Sequence, residues 1–173
     1  MFVRDAGQQT PGQPIFAAPA GLHAHFLLWS RDGAFIYFVQ GSLPDALDLW
    51  RIKPTGGAAE RITRHNARVS HPVLLNDRTL MYLASDSDGA GPWLHSVDVD
   101  RRVPHRVRAG PDRYTSLAGS ADGRRLVATL ANPTGTLWRL LIADAPITAS
   151  GSTPISLTTG RGFSPRFGPD YLL

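Results

Sequence analysis

The sequence contains no cysteine, and its 173 residues include only one glutamate and one lysine, Glu60 and Lys53. Without cysteine the chain has no disulfide framework, no thiolate nucleophile and no thiolate-based metal site. The other acidic residues are all Asp, which favours turns, whereas Glu favours helices. Together with 17 Gly and 14 Pro, this composition predicts many turns and few helices.

Long apolar segments are also missing. No stretch approaches the roughly 20 apolar residues that a membrane-spanning helix needs, so no membrane span is predicted. The N-terminus, "MFVRDAGQQTPGQ", lacks the basic-then-apolar order of a signal peptide. The chain as written is therefore expected in the cytoplasm, and a periplasmic location would require a secretion signal upstream.

Motifs of the common enzyme classes do not occur. The sequence has no Gly-x-Ser-x-Gly elbow, no His-Glu-x-x-His, no Walker loop and no dinucleotide fingerprint. None of the six His residues has a partner at helical metal spacing, and "SDSDGAG" (85–91) lacks the Glu that completes a calcium loop. These absences predict a chain without catalytic residues, cofactor or metal.

The charge pattern gives no nucleic-acid surface. The net charge is +4 and the Arg residues are scattered along the chain, so nucleic acid is not a predicted partner. The densest basic run is "DRRVPHRVR" (100–108). In a strand, Arg106 and Arg108 share one face, and a solvated outer strand explains that run better than an acidic partner does.

What the sequence does contain is a repeat. The segments "SRDGAFIYF" (30–38), "LNDRTLMYL" (75–83) and "SADGRRLVA" (120–128) each place an Asp-centred turn before an apolar, strand-like stretch. Their anchors Asp32, Asp77 and Asp122 are 45 residues apart, and Asp170 follows 48 residues later. The second segment has lost the Gly of the turn, so its turn is expected to differ from the other two.

A second marker repeats with nearly the same period. Trp50, Trp93 and Trp138 lie 43 and 45 residues apart, each within a predicted third strand, and a short alternating strand follows each of them. Four short strands in about 45 residues match the length of one β-propeller blade. The Trp side chains are expected to fill the space between neighbouring blades.

The sequence therefore predicts an all-β fold, a β-propeller of four-stranded antiparallel blades. The boundaries follow the repeat: a partial blade over 1–22, blades over 23–67, 68–112 and 113–160, and the start of another blade over 161–173. "MFVR" and "QPIF" are the candidate strands of the partial N-terminal blade. We expect a piece of a longer propeller that self-associates through open blade edges; the alternative is a four-bladed ring closed by joining the two ends.

The repeat resembles the blade of the TolB-type, WD-repeat-like propellers. That resemblance rests on "SRDGAFIYF" followed by "LWRIKPTGGAAERIT" in the first unit, and on Ser120-Ala121-Asp122-Gly123 and Leu137-Trp138 in the third. The resemblance covers roughly residues 24–173. Within the family, the sequence looks most like the propeller tails of bacterial transcription regulators and Ser/Thr kinases. The resemblance implies a sensor or scaffold role in a larger regulatory protein.

One candidate binding site follows from aligning the units. Nine residues before each anchor Asp stand the basic residues His23, Arg68, Arg113 and Arg161. In a propeller this position leads into the innermost strand, so four repeats would place four basic side chains around one mouth of the central channel. Converging positive groups suit an acidic peptide or a small anion.

The predicted function is therefore non-catalytic recognition of a protein or small ligand on a channel face. Three alternatives remain open: the accessory propeller of a serine peptidase, a periplasmic TolB-like interaction domain, and a propeller enzyme with its active site in the channel. The last would need clustered acids or metal-binding His on the inner strands, where the sequence offers only His25, His71 and scattered hydroxyls.

Overall fold

The computed structural model describes residues 1–107, 113–131, 137–140 and 152–155. Within these ranges the chain forms β-strands and no helix, which confirms the all-β prediction. No helix of the described ranges is long and apolar enough to cross a lipid bilayer. The chain divides into two compact units, Met1–Ala131 and Asn132–Leu173.

Twelve of the described strands belong to the first unit. They are β1 (Phe2–Val3), β2 (Gln13–Pro14), β3 (His23–Trp29), β4 (Ile36–Ser42), β5 (Ala46–Ile52), β6 (Glu60–Arg61), β7 (Val69–Leu74), β8 (Thr79–Ala84), β9 (Trp93–Asp98), β10 (Pro104–Arg106), β11 (Arg113–Gly119) and β12 (Leu126–Ala131). In the second unit, β13 (Leu137–Leu140) pairs antiparallel with β14 (Ser152–Ile155).

Two four-stranded antiparallel sheets form the centre of the first unit. Sheet I consists of β3–β4–β5–β6 and sheet II of β7–β8–β9–β10, with sequential neighbours paired in both. On either side of them stand two-stranded sheets, β1–β2 and β11–β12. The predicted N-terminal segments "MFVR" and "QPIF" thus pair with each other, Phe2 opposite Pro14.

The second strand of sheet I buries both of its faces. Ile36 and Phe38 pack with Ile15 and Ile52 against the β1–β2 side. The alternate residues Tyr37 and Val39 point the other way, into a core shared with sheet II. Side chains alternate between the faces of a strand, so burial on both faces requires the continuous apolar run "IYFV" rather than an alternating one.

The second strand of sheet II repeats this arrangement. Leu80, Tyr82 and Ala84 complete the core shared with sheet I. Met81 and Leu83 face a further core formed with the β11–β12 sheet. The four sheets of the first unit therefore stack face to face in chain order, and each interface is filled by alternate residues of the apolar runs.

The Asp-Gly turns of the first and third sequence repeats, which begin at Ser30 and Ser120, are closed by equivalent hydrogen bonds. Asp32 Oδ1 accepts hydrogen bonds from Ser30 Oγ (2.6 Å) and from Ala34 N (3.0 Å). Asp122 Oδ1 accepts from Ser120 Oγ (2.5 Å) and from Arg124 N (3.1 Å). The Ser-x-Asp-Gly sequence that these two segments share therefore encodes one hydrogen-bonded turn.

The second turn differs, as its missing Gly predicts. Asn76, not Asp77, supplies the side-chain acceptor: its Oδ1 accepts from Arg78 N (3.0 Å) and Thr79 N (2.9 Å). The Asp77 carboxylate is mostly exposed and lies 4.0 Å from Arg31. Asp77 matches Asp32 in the spacing of the repeat, but Asn76 takes the hydrogen-bonding role that Asp32 has in the first turn.

The three marker Trp residues do not share one environment. Trp50 packs into the core between the β1–β2 sheet and sheet I, as predicted. Trp93 lies outside the core clusters of the described residues; its Nε1 donates to Asp86 Oδ2 (2.8 Å) and the Arg106 guanidinium stacks on its ring at 4.1 Å. Trp138, in the second unit, is 55% exposed. The prediction that a Trp packs between neighbouring sheets is confirmed for Trp50, and for Trp93 it stays a prediction.

Candidate functional site

The first strands of the successive sheets lie side by side, and their starting residues include the predicted basic positions. Strand β3 contacts β7, and β7 contacts β11. His23 is the first residue of β3 and Arg113 the first of β11, while Arg68 directly precedes β7; all three are exposed. The fourth predicted position, Arg161, lies outside the described residues.

Two of these basic side chains contact the preceding sheet. Arg68 Nε lies 3.5 Å from the Asp45 carboxylate, and Arg113 Nε donates to the Gly91 carbonyl at 3.0 Å. Asp45 and Gly91 both lie between the second and third strands of the preceding sheet. Each guanidinium has five N–H donors, so these contacts leave donors free for a ligand. The predicted convergence of the four side chains on a channel mouth stays a prediction.

Bulges interrupt the first strands at corresponding points. In β3 the register shifts between His25 and Leu28, and in β7 between Ser70 and Val73. Phe26 and His71, which are 45 residues apart, adopt positive φ angles of 56° and 51°. A bulky residue rarely adopts this conformation, and bulges with strained residues are frequent beside functional sites because they redirect side chains.

The bulges bring three aromatic rings together. The Phe26 ring centroid is 4.8 Å from that of His71 and 4.9 Å from that of His25. Phe26 is 38% exposed and the neighbouring Leu27 58% exposed. We call this region the first-strand surface and define it by seven residues: His23, His25, Phe26, Leu27, Arg68, His71 and Arg113.

The sequence did not predict Phe26 and Leu27 as site residues. Both lie in "HAHFLLW", which reads as an ordinary apolar strand. The positive φ of Phe26 depends on the pairing of β3 with β4, and nothing local encodes it. The matching 45-residue spacing to His71 was the only available signal.

The two inner histidines of this surface favour the neutral form. Partial burial lowers the pKa of His25, and the neighbouring His23 lowers it further. Burial also lowers the pKa of His71, whose Nδ1 is buried without a hydrogen-bond partner among the described residues. Neutral imidazoles beside a phenyl ring offer hydrogen bonding and apolar contact, whereas Arg68 and Arg113 supply charge.

The described residues hold no cluster of three or more His, Asp or Glu side chains arranged to bind a metal ion. The segment "SDSDGAG" forms a turn: Asp86 N donates to the Ala90 carbonyl (2.9 Å), and Asp88 Oδ1 accepts from Ala90 N (2.9 Å). The Asp86 carboxylate is used by Trp93 and Arg106. This is the plain turn that the repeat predicts.

A scan against protein-family models finds none that matches this chain, and a search of curated proteins finds no match.

Proposed function

We propose that this chain is a non-catalytic binding module of the β-propeller type, and that its first-strand surface recognises an acidic segment of a partner protein. The observation that carries the proposal is the placement of His23, Arg68 and Arg113 at the same end of three adjacent first strands. A row of basic groups at one edge favours a ligand with several carboxylates in sequence.

The stacking of the sheets supports the propeller part of the proposal. Each four-stranded sheet runs sequentially from its first to its fourth strand, and each packs face to face on the next. The first strands contact one another. Consecutive blades of a propeller are arranged in this way, so these contacts support the proposal.

The bulged part of the surface supports binding of a peptide rather than of an isolated ion. Phe26 and Leu27 present exposed apolar area next to the basic row. Interfaces combine aromatic anchors with charged groups at their rim in this way. A role as the sensor of a larger regulatory protein rests on the family resemblance alone, and the open reading frame that encodes the chain tests it.

A peptide titration tests the binding proposal. A fluorescein-labelled hexapeptide of Glu is added to the full chain and its anisotropy is followed, with a hexapeptide of Gln as the uncharged control. We expect the Glu peptide to bind, more weakly at high salt because exposed charges are screened. Arg68→Glu and Arg113→Glu should each weaken binding about tenfold, or about 1.4 kcal/mol.

The matched control is Arg124→Glu. Arg124 is exposed and lies in the turn after β11, at the other end of the strand that Arg113 begins. The change in net charge is identical because each variant replaces one Arg by Glu. Circular dichroism confirms that each variant is folded. Equal loss of affinity in all three variants, or equal binding of the Gln peptide, would falsify the proposed site.

A further inference from the structure

A second candidate site lies away from the first-strand surface, where the last strands of sheets I and II meet. A cleft of about 360 Å³ opens there. Its polar lining consists of Arg61, Arg64, His65 and Arg102, and its apolar lining of Ile62, Val103 and Pro104. Ligand sites commonly have volumes of roughly 300–1,000 Å³ and combine an apolar lining with a few placed polar groups.

Ion pairs join the two sheets beside this cleft. Arg51 of sheet I bridges Glu60 (3.0 Å) and Asp100 (3.2 Å), and Asp100 follows the third strand of sheet II. Glu60 also pairs with Arg102 on the far wall. The Arg51 side chain is only 11% exposed, so these pairs are partly shielded from solvent. Walls that are joined in this way lose less conformational freedom on ligand binding than separate walls would.

The cationic groups are themselves held in place. Arg61 pairs with the buried Asp48 carboxylate and donates from Nε to the Thr63 carbonyl at 3.0 Å. Arg102 adopts a φ of 59°, and its backbone N donates to the Asp98 carbonyl at 2.8 Å. The pairs of Arg61 with Asp48 and of Arg102 with Glu60 therefore orient both guanidinium groups before any ligand arrives.

Arg64 is the cleft cation that has no ion-pair partner among the described residues. It is also exposed. All three charged residues that line the cleft are Arg. Beside them Val103 is 54% exposed, which leaves an apolar surface next to the charges.

We propose that this cleft binds a carboxylate carried on a short aliphatic group, with the carboxylate on Arg64 and the aliphatic part on Val103 and Pro104. The planar guanidinium matches a carboxylate with two parallel hydrogen bonds. The aliphatic part would cover apolar surface that is now in water. Two sources offer this chemistry: a free short-chain carboxylic acid, and the C-terminal carboxylate of a peptide that ends in an aliphatic residue.

An NMR titration of the ¹⁵N-labelled full chain tests the proposal. The probes are hexanoate, an acetylated tripeptide with a free C-terminal Leu, and hexanamide as the uncharged control. We expect hexanoate or the tripeptide to shift the backbone amides of Arg64, His65 and Val103, with a Kd of about 1 mM for such small ligands. Tighter binding of one probe identifies the source.

Substitutions locate the binding. Arg64→Glu should abolish the shifts, whereas the charge-matched Arg124→Glu should preserve them. Val103→Ser should weaken binding of the aliphatic probes while leaving the charges unchanged, so it gives a second readout that does not depend on Arg64.

Three results overturn the proposal: hexanamide binds as well as hexanoate, neither acid shifts the cleft residues, or Arg64→Glu binds like the unaltered chain. Shifts confined to the first-strand surface would support the acidic-segment site and reject this one, so the two proposals fail independently.

Discussion

Sheets I and II have the same strand order, but their short fourth strands are fastened by different side chains. Strand β6 of sheet I pairs through only two residues with β5, and strand β10 of sheet II through three with β9. In sheet I the additional support comes from a buried carboxylate, Asp48. In sheet II it comes from a surface stack, in which Arg106 lies over Trp93 and reaches Asp86 at 3.4 Å.

The buried carboxylate organises a whole segment. Asp48, only 3% exposed in its side chain, accepts hydrogen bonds from Thr63 Oγ1 (2.7 Å), His65 N (2.7 Å) and Asn66 N (3.2 Å), and pairs with Arg61. The Asp86 side chain is 42% exposed, and water competes for its bonds. The same strand order is thus compatible with a buried polar network or with an exposed one, and the two should differ sharply in their contribution to stability.

Asp48→Ala is expected to have the largest effect. It leaves the buried Thr63 hydroxyl and the partly buried backbone amides of His65 and Asn66 without their acceptor and the Arg61 guanidinium without its partner, and it should lower the free energy of unfolding by about 3–5 kcal/mol. The matched change in sheet II, Asp86→Ala, should cost at most about 1 kcal/mol because that carboxylate is exposed. Urea unfolding of both variants measures the difference. Similar losses in the two variants would contradict the distinction between the sheets.

The two Asp-Gly turns allow a second comparison, in which one methyl group is added at Gly33 or at Gly123. Gly33 and Gly123 have nearly equal φ angles of 70° and 69°, so Ala should cost about 1–2 kcal/mol of conformational strain at either. A Cβ on Gly33 would enter open space, whereas one on Gly123 would overlap the Leu75 carbonyl oxygen. Gly123→Ala should therefore cost about 1–3 kcal/mol more than Gly33→Ala. Thermal unfolding of the pair tests this, and equal melting temperatures would show that the third turn has room to move.

The interface between the sheets contains a pair of histidines that makes stability depend on pH. His65 of sheet I lies 2.7 Å from the Tyr82 hydroxyl through Nε2, and the His95 ring stacks on Tyr82 at 5.6 Å. Burial lowers the pKa of both histidines; the charge of His95 lowers that of His65 further, and Asp48 and Asp86 oppose the shift. At His95, the hydrogen bond between its own Nδ1 and the Trp93 carbonyl opposes the lowering of the pKa, and the charge of Arg106 adds to the lowering.

The direction of the pH effect follows from those shifts. In the unfolded chain both histidines bind protons from about pH 6.5 downward, while the folded chain resists protonation to a lower pH. Stability should therefore be constant above about pH 7 and fall as the pH drops below about 6.5. His65→Gln/His95→Gln should flatten this fall relative to the unaltered chain when urea unfolding is measured between pH 7.5 and 5. An unchanged slope would assign the pH dependence to other groups, with His25 and His71 first among them.

Much of the fold is local in origin and was predictable. The apolar runs "IYFV" and "LMYLA" and the Ser-x-Asp-Gly turns state their structure within a few residues, because strand burial and turn hydrogen bonds are set by near neighbours. Their even spacing then predicts repeated sheets, and sheets I and II are the result.

The site chemistry depended on contacts between residues that are distant in the sequence and was not predictable. Asp48 has no special surroundings in "DALDLWRI", and its role appears only where the chain returns at Thr63 and His65. The same holds for the cleft near Arg64, whose walls come from two sheets, and for Trp93, whose position is decided by Asp86 and Arg106. Spacing along the sequence identifies equivalent positions, but neighbours brought close by folding decide what each position does.

The smallest expected effect concerns the second turn, where the residue at the repeat position and the residue that accepts the hydrogen bonds are different. In the second turn Asn76 accepts two backbone hydrogen bonds, whereas the Asp77 carboxylate is mostly exposed and lies at the limit of an ion pair with Arg31. Asn76→Ala should therefore lower the free energy of unfolding by about 1 kcal/mol, and Asp77→Ala by less than about 0.5 kcal/mol. Urea unfolding of the two variants side by side decides the order. If Asp77→Ala proves the more costly, the anchor position of the repeat itself carries the turn, and the hydrogen bonds to Asn76 are secondary to it.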